Sequence, residues 1–188
     1  MCQPERLPAH GRETGMTETA ASGSRQYLRF QLGAESFACD ILQIREILEY
    51  HRPTAVPQMP AFVHGVMNLR GSVVPVIDLA QRLGRPAGKV LRRSCIVILQ
   101  TGTPAQPHPV GMLVDAVHEV ISLHHTDILP PPPFGNQLRA DFIAGLAQHD
   151  SQCLLLLQMD KVLSLEEMAA LANPAVMQIQ ADSGGVLN

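Results

Sequence analysis

Alternation of apolar and polar residues begins at Tyr27. Leu28, Phe30 and Leu32 alternate with Arg29 and Gln31, the period of a strand with one buried face. Gly33 and Ala34 make a turn, and Phe37, Cys39 and Ile41 resume the alternation, so the two runs predict a hairpin. From Asp40 onward two readings stay open. Ile41, Ile44 and Leu48 fit one helical face, and the same run also continues as strand. Pro53 and Pro57 end it. Pro60 suits the first turn of a short helix through Phe62 and Val63. Residues 65–69 and 73–79 are apolar strands around Arg70-Gly71-Ser72, a turn in which Gly71 supplies a positive φ. Asp78 caps a short helix through Leu83, which Gly84 closes.

Residues 96–99 predict another strand. Residues 102–109 hold three prolines and predict a loop. Residues 110–117 are strand, and 117–123 alternate again. The four-proline run 130–133 predicts extended polyproline II geometry, read as a stiff connector rather than an SH3 or WW ligand. Residues 142–147 and 153–157 form a closing hairpin around 148–152. Ser164-Leu165-Glu166-Glu167 resembles a capping box that opens a helix to about residue 172. Residues 1–26 have no hydrophobic period and are expected to be a disordered tail, and 169–188 the end of a short helix and a flexible tail. About nine or ten short strands with regular turns argue a mainly β barrel or sandwich.

Composition narrows the functional classes. Apolar residues make up 46% of the 188 and charged residues 16%, which suits a packed core. The net charge is −3, and basic residues such as Lys89 and Arg92-Arg93 look scattered, so neither a nucleic-acid stripe nor membrane-surface binding is expected. No apolar run approaches the roughly 18–20 residues that span a bilayer, and the start of the chain lacks the apolar region of a secretory signal. A cytoplasmic protein is expected. The four cysteines (Cys2, Cys39, Cys95, Cys153) show no CxxC spacing and are expected to be reduced.

Enzymatic signatures are missing. The chain has no P-loop, no Rossmann glycine pattern, no GxSxG elbow and no HExxH. His118, His124 and His125 lie close in sequence, but no cysteine is near, so a solvated loop is expected and no metal site. His149-Asp150 reads as a turn pair. Asp78, Asp115 and Asp160 sit at strand ends, where caps and turns are the ordinary role of a carboxylate. No catalytic residue, cofactor or metal is assigned, which leaves a binding module; an enzyme of unknown type on a β-barrel is the remote alternative.

Residues 56–79, VPQMPAFVHGVMNLRGSVVPVIDL, closely resemble the signature stretch of CheW-type adaptors. Other motifs follow in the matching order: the Phe30–Phe37 hairpin, Asp40-Ile41 with Glu46-Ile47, GMLVDAVHEV at 111–120, and LLLLQMDKVL at 154–163. The resemblance covers 27 to about 168. It departs in Cys39, in Gln158-Met159-Asp160 and in the long leading tail. It implies two intertwined, five-stranded, SH3-like β-barrels with short helices. It also implies a non-catalytic adaptor that couples the cytoplasmic tip of methyl-accepting chemoreceptors to the regulatory domain of a CheA-type histidine kinase. No receiver sequence follows, so the fused adaptor–receiver arrangement is not expected. A CheW-like adaptor of a twitching-motility, surface-sensing or cyclic-di-GMP pathway is the alternative. By the same resemblance, Ile44, Glu46, Gly65 and Arg70 are partner-binding, with Glu46 and Arg70 close enough to pair. Asn68 and Gly71 are turn residues, and kinase-facing residues are expected on edge strands of the other barrel. Deleting residues 1–24 is expected to leave the thermal midpoint almost unchanged, since that segment offers little apolar surface to dock; a drop of several degrees would show that it packs against a barrel.

Overall fold

Two apolar runs, at 96–99 and 154–157, alternate between cores instead of between core and solvent. Ile96 and Ile98 enter one cluster while Val97 and Leu99 enter another. Leu154 and Leu156 likewise part from Leu157. A strand buried on both faces needs apolar residues at every position, which is what these runs supply.

The computed structural model describes residues 23–131, 139–164 and 166. These contain ten strands: β1 Ser24–Leu32, β2 Glu35–Asp40, β3 Ile44–Glu49, β4 Val63–Leu69, β5 Ser72–Asp78, β6 Cys95–Thr103, β7 Gln106–Val114, β8 Ala116–His124, β9 Ile143–His149 and β10 Gln152–Leu157. Two four-residue helices follow strands, α1 Leu79–Arg82 after β5 and α2 Met159–Val162 after β10. The strands form two five-stranded, barrel-like sheets, in the orders β8-β1-β2-β10-β9 and β3-β6-β7-β5-β4. The mainly β, two-sheet architecture agrees with the expectation, although neither sheet closes by a continuous ladder.

The second half of the chain repeats the path of the first. Adding five to each strand number of one sheet, cyclically, yields the order of the other. In each half a hairpin (β1-β2, β6-β7) builds one sheet, and the next strand (β3, β8) crosses to the edge of the opposite sheet. Neither sheet is therefore complete without the other half. Between them lies the largest core, with Phe30, Phe37, Leu99, Met112 and Phe142 at its centre; each sheet also encloses a smaller core of its own. Cys39 belongs to the central core, where burial first and the Asp40 charge second push its thiol up to about 12. It stays protonated and packs as a small apolar group. Cys95 and Cys153 are also free thiols.

Each sheet is drawn toward closure at equivalent places. The segment after β3 bridges to β4 through Thr54 and Val66, and the segment after β8 bridges to β9 through Leu129 and Leu146. A glycine admits each crossing. A β-carbon on Gly65 would lie 2.5 Å from the Thr54 carbonyl oxygen, and one on Gly145 would lie 2.5 Å from Ile128 Cγ2. Phe62 and Phe142 hold matching positions before β4 and β9. Their carbonyls accept from the N–H of Asp78 and Gln158, the residues that precede α1 and α2.

Several local expectations change. The first strand already begins at Ser24, and the Gly23 carbonyl accepts the His125 N–H, so truncation at 24 would cut into β1. The ambiguous run resolves into a 3-10 turn at Ile41–Gln43, capped by Asp40, followed by β3. Pro60 opens a tight turn to Val63, not a helix, because β4 begins at once. Residues 102–109 are not a loop: Pro107 and Pro109 lie within β7, opposite Gly102 and Gln100. Spaced by two, both turn their N-side away from β6 toward an edge that β5 reaches only at Gly111, so no ladder bond is lost. Residues 1–22, 132–138 and most of the segment after Ser164 lie outside the described residues, and with them half of the four-proline run and the expected C-terminal helix.

Arg82 joins the halves across the central core. It is 9% exposed, its Nε donates to the Val162 carbonyl at 2.7 Å, and its guanidinium lies 5.0 Å from the Phe62 ring centre and 4.8 Å from that of Phe142. Arg82→Ala is expected to destabilise by about 2–4 kcal/mol in chemical denaturation, from an unbonded carbonyl and lost stacking. Arg82→Lys should recover only part, because an ammonium can donate but cannot fill the slot between two rings; wild-type stability in Arg82→Ala would show that the halves hold together without this contact.

Candidate functional site

Residues 70 and 71 form the two-residue loop between β4 and β5, and both have positive φ, 51° at Arg70 and 86° at Gly71. Such a loop follows the right-handed twist of its strands and favours glycine at both places. Arg70 adopts it against its intrinsic preference, a feature that points to function more than to folding. Asn68, three residues earlier, accepts the Gly71 N–H on Oδ1 at 2.9 Å and steadies the loop.

The turn aims Arg70 at Glu46 on β3. Nη1 meets Oε1 at 2.7 Å and Nη2 meets Oε2 at 2.9 Å, a bidentate pair. Because β3 and β4 are the two edges of their sheet, the pair clasps its open side at the hairpin end. The arginine side chain is 73% exposed and the glutamate 21%. The hydrogen bond to Glu46, and then the charge of that carboxylate, hold the Arg70 guanidinium above its ordinary range. Two of five guanidinium donors are taken, and the others face solvent, oriented for a carboxylate or carbonyl.

The remaining positions divide. Ile44 is half-buried and packs on the central core, so it sets the height of β3 beneath the pair. Gly65 is buried under Thr54 and Pro53, and what it offers the surface is the chain lying over it. Exposed apolar side chains lie on the elements near the clasp: Leu42 in the turn before β3 at 87%, Ile47 on β3 at 43% and Val73 on β5 at 57%. Sequence reading did not single out these three; their only signal was an apolar residue at a position that alternation turns outward.

The other half carries the counterpart of the clasp with different chemistry. Glu119 on β8 corresponds to Glu46, and the β9-β10 loop places Asp150 and Ser151, again at positive φ, where Arg70 and Gly71 stand. Glu119 Oε1 is bonded by Arg29 at 2.9 Å, and His149 Nε2 stands 3.7 Å from it and 3.4 Å from Asp150 Oδ2. Glu119, His149 and Asp150 keep ligand atoms within 4.8 Å of one another, yet the cation already at Glu119 is an arginine. The three neighbouring histidines do not gather, and two of them are in strand rather than loop. His118 lies on β8 beside Gln31, His124 ends that strand, and His125 bonds the Gly23 carbonyl. Asp78 caps α1 through the Gln81 N–H, and Asp115 accepts the Gly33 N–H at 2.6 Å, so both are structural. No helix among the described residues is long and apolar enough to cross a membrane.

A family model for the CheW-like domain matches residues 26–167. The chemotaxis protein CheW of Klebsiella aerogenes is 35% identical over 151 residues, covering 80% of this chain and 89% of that one. The protein of the same name from Rhizobium meliloti is 32% identical over 157 residues, 84% of this chain and 99% of the other. Among solved structures, the scaffolding protein TtCheW from Thermoanaerobacter tengcongensis is similar, with a TM-score of 0.67 at 29% identity, covering 82% of this chain and 93% of its own.

The strained loop yields a stability test. Arg70→Gly is expected to melt at or slightly above the wild-type midpoint, since glycine adopts φ of 51° freely. Arg70→Ala should melt at or slightly below it. A clear loss of stability in Arg70→Gly would mean that the clasp holds the sheet together.

Proposed function

The chain belongs to the CheW-like domain family, and on that premise we propose that it is a non-catalytic adaptor of chemotaxis signal transduction. It couples the cytoplasmic tip of chemoreceptors to the regulatory domain of a CheA-type histidine kinase, as a cytoplasmic protein recruited to membrane-associated receptor arrays. The observation that carries this reading is the Glu46–Arg70 clasp, a preorganised fork displayed at a hairpin tip inside the signature stretch of the family. Arg70 and Glu46 form the contact surface. Leu42, Ile47 and Val73, exposed on the turn and strands that carry the pair, add apolar surface on the same part of the sheet. Ile44 and Gly65 act from below, by setting β3 and the Pro53-Thr54 crossing that a partner would touch. Binding, not chemistry, suits this surface, because the clasp holds no nucleophile beside a base.

Arg70→Ala is expected to keep a native fold yet weaken binding to the cognate receptor fragment or kinase regulatory domain about tenfold or more, measured by titration calorimetry. Arg70→Lys should not fully rescue, since an ammonium lacks the planar fork. Glu46→Ala should lose affinity too, and the double variant should lose less than the sum, the mark of one shared recognition unit. Wild-type affinity of Arg70→Ala for both partners would move the contact elsewhere.

A further inference from the structure

Basic residues that look scattered in sequence lie on two segments that leave one end of the sheet together, beyond the end of β3. Glu49 pairs with Cys95 and the Tyr50 N–H bonds the Ser94 carbonyl, so the chain after β3 and the chain before β6 leave the sheet side by side. The first carries Arg52 and the second Lys89, Arg92 and Arg93, all exposed. Elsewhere Arg29, Arg70, Arg85 and Arg139 are each matched to a carboxylate. Arg52, Lys89, Arg92 and Arg93 have no such partner among the described residues; Arg25, Arg45 and Lys161 are also without one but stand singly on other elements. Val90 and Leu91, 44% and 49% exposed, stand among them.

The loop that displays them is built rather than loose. Ser94 is 5% exposed; its Oγ accepts the Leu91 N–H at 2.8 Å and its N–H bonds the Leu91 carbonyl at 3.0 Å. Leu91 is held outward by a closed turn instead of being free to fold onto the core. Unpaired cations around a fixed aliphatic pair, on a chain of net charge −3, are a local inversion of the surface. Uncompensated like charges repel one another, and an anionic partner relieves that repulsion. The aliphatic pair adds the dry centre on which protein interfaces rely, while phosphate backbones are read mainly by charge.

We propose that this loop and the strand end beside it form a second docking surface, separate from the clasp, for an acidic segment of a partner protein that also carries aliphatic side chains. Arginine gives bidentate contacts to its carboxylates, and Val90 and Leu91 receive its aliphatic residues.

The test uses the full chain and a fluorescent synthetic peptide built of Glu-Glu-Leu blocks, with anisotropy as the readout. Binding is expected, weakening as salt rises from about 50 to about 300 mM. Charge reversal at Arg92 and Arg93 together should weaken it about tenfold or more. Val90→Ser with Leu91→Ser should weaken it as well, and a peptide of glutamate alone should bind less well. Arg70→Ala should bind the peptide as wild type does, which separates this surface from the clasp. Ser94 is left intact, and unchanged melting confirms that the variants fold. Peptide binding no tighter to wild type than to the charge-reversed chain would overturn the proposal. So would tighter binding to a single-stranded oligonucleotide or to phosphatidylglycerol vesicles, which would make the loop a phosphate-binding face, and so would loss of peptide binding in Arg70→Ala.

Discussion

Each half of this chain gives its third strand to the opposite sheet, and that crossing constrains everything else. β3 can pair only with β6, and β8 only with β1, so neither sheet has its edge until both halves are present. The crossing strands pin the sheets face to face, and the space between them becomes the largest core. Burial there involves side chains from both halves, so their stabilities are not separable. Arg82 is the polar counterpart of this arrangement. It occupies the position in α1 that Val162 holds in α2, and it bonds that residue's carbonyl. A buried charge is tolerated there because aromatic rings flank it and a carbonyl accepts a hydrogen bond from it.

Repetition of the path makes the differences between halves informative. Both sheets are open between their edges, both are approached by a crossing segment seated on a glycine, and both place a two-residue hairpin loop beside an edge-strand glutamate. The backbone is shared and the side chains diverge. One loop carries an arginine that meets its glutamate in two hydrogen bonds, while the other carries an aspartate and leaves the glutamate to Arg29. A duplicated scaffold can in this way present two ends with different electrostatics to different partners.

Rigid presentation is the common thread of the clasp and the basic loop. Arg70 is set by a strained turn, by Asn68 and by Glu46; Leu91 is set by the Ser94 turn. Side chains already held in place lose less entropy on association, so modest surfaces can bind with useful affinity. For an adaptor, whose effect is to hold two other proteins in register, that preorganisation is the functional property itself.

Local pattern, read alone, determined the strands, the hairpins and the turns, because burial alternates with period two and turn residues have steric reasons for their places. It also pointed to Glu46 and Arg70, through motif resemblance, and it identified Asn68 and Gly71 as turn residues. It misjudged residues 102–109, since proline count signals a loop whereas an unpaired sheet edge accepts proline in a strand. Which sheet a strand joins was decided only by tertiary structure: β3 and β8 leave their hairpins for the far sheet, and such pairings are set by long-range packing that no local window contains. The same reason hid the basic surface. Arg52 and Arg92 are far apart in sequence and come to the same end of the sheet only because β3 and β6 pair; charge spacing along the chain cannot reveal charge spacing across it.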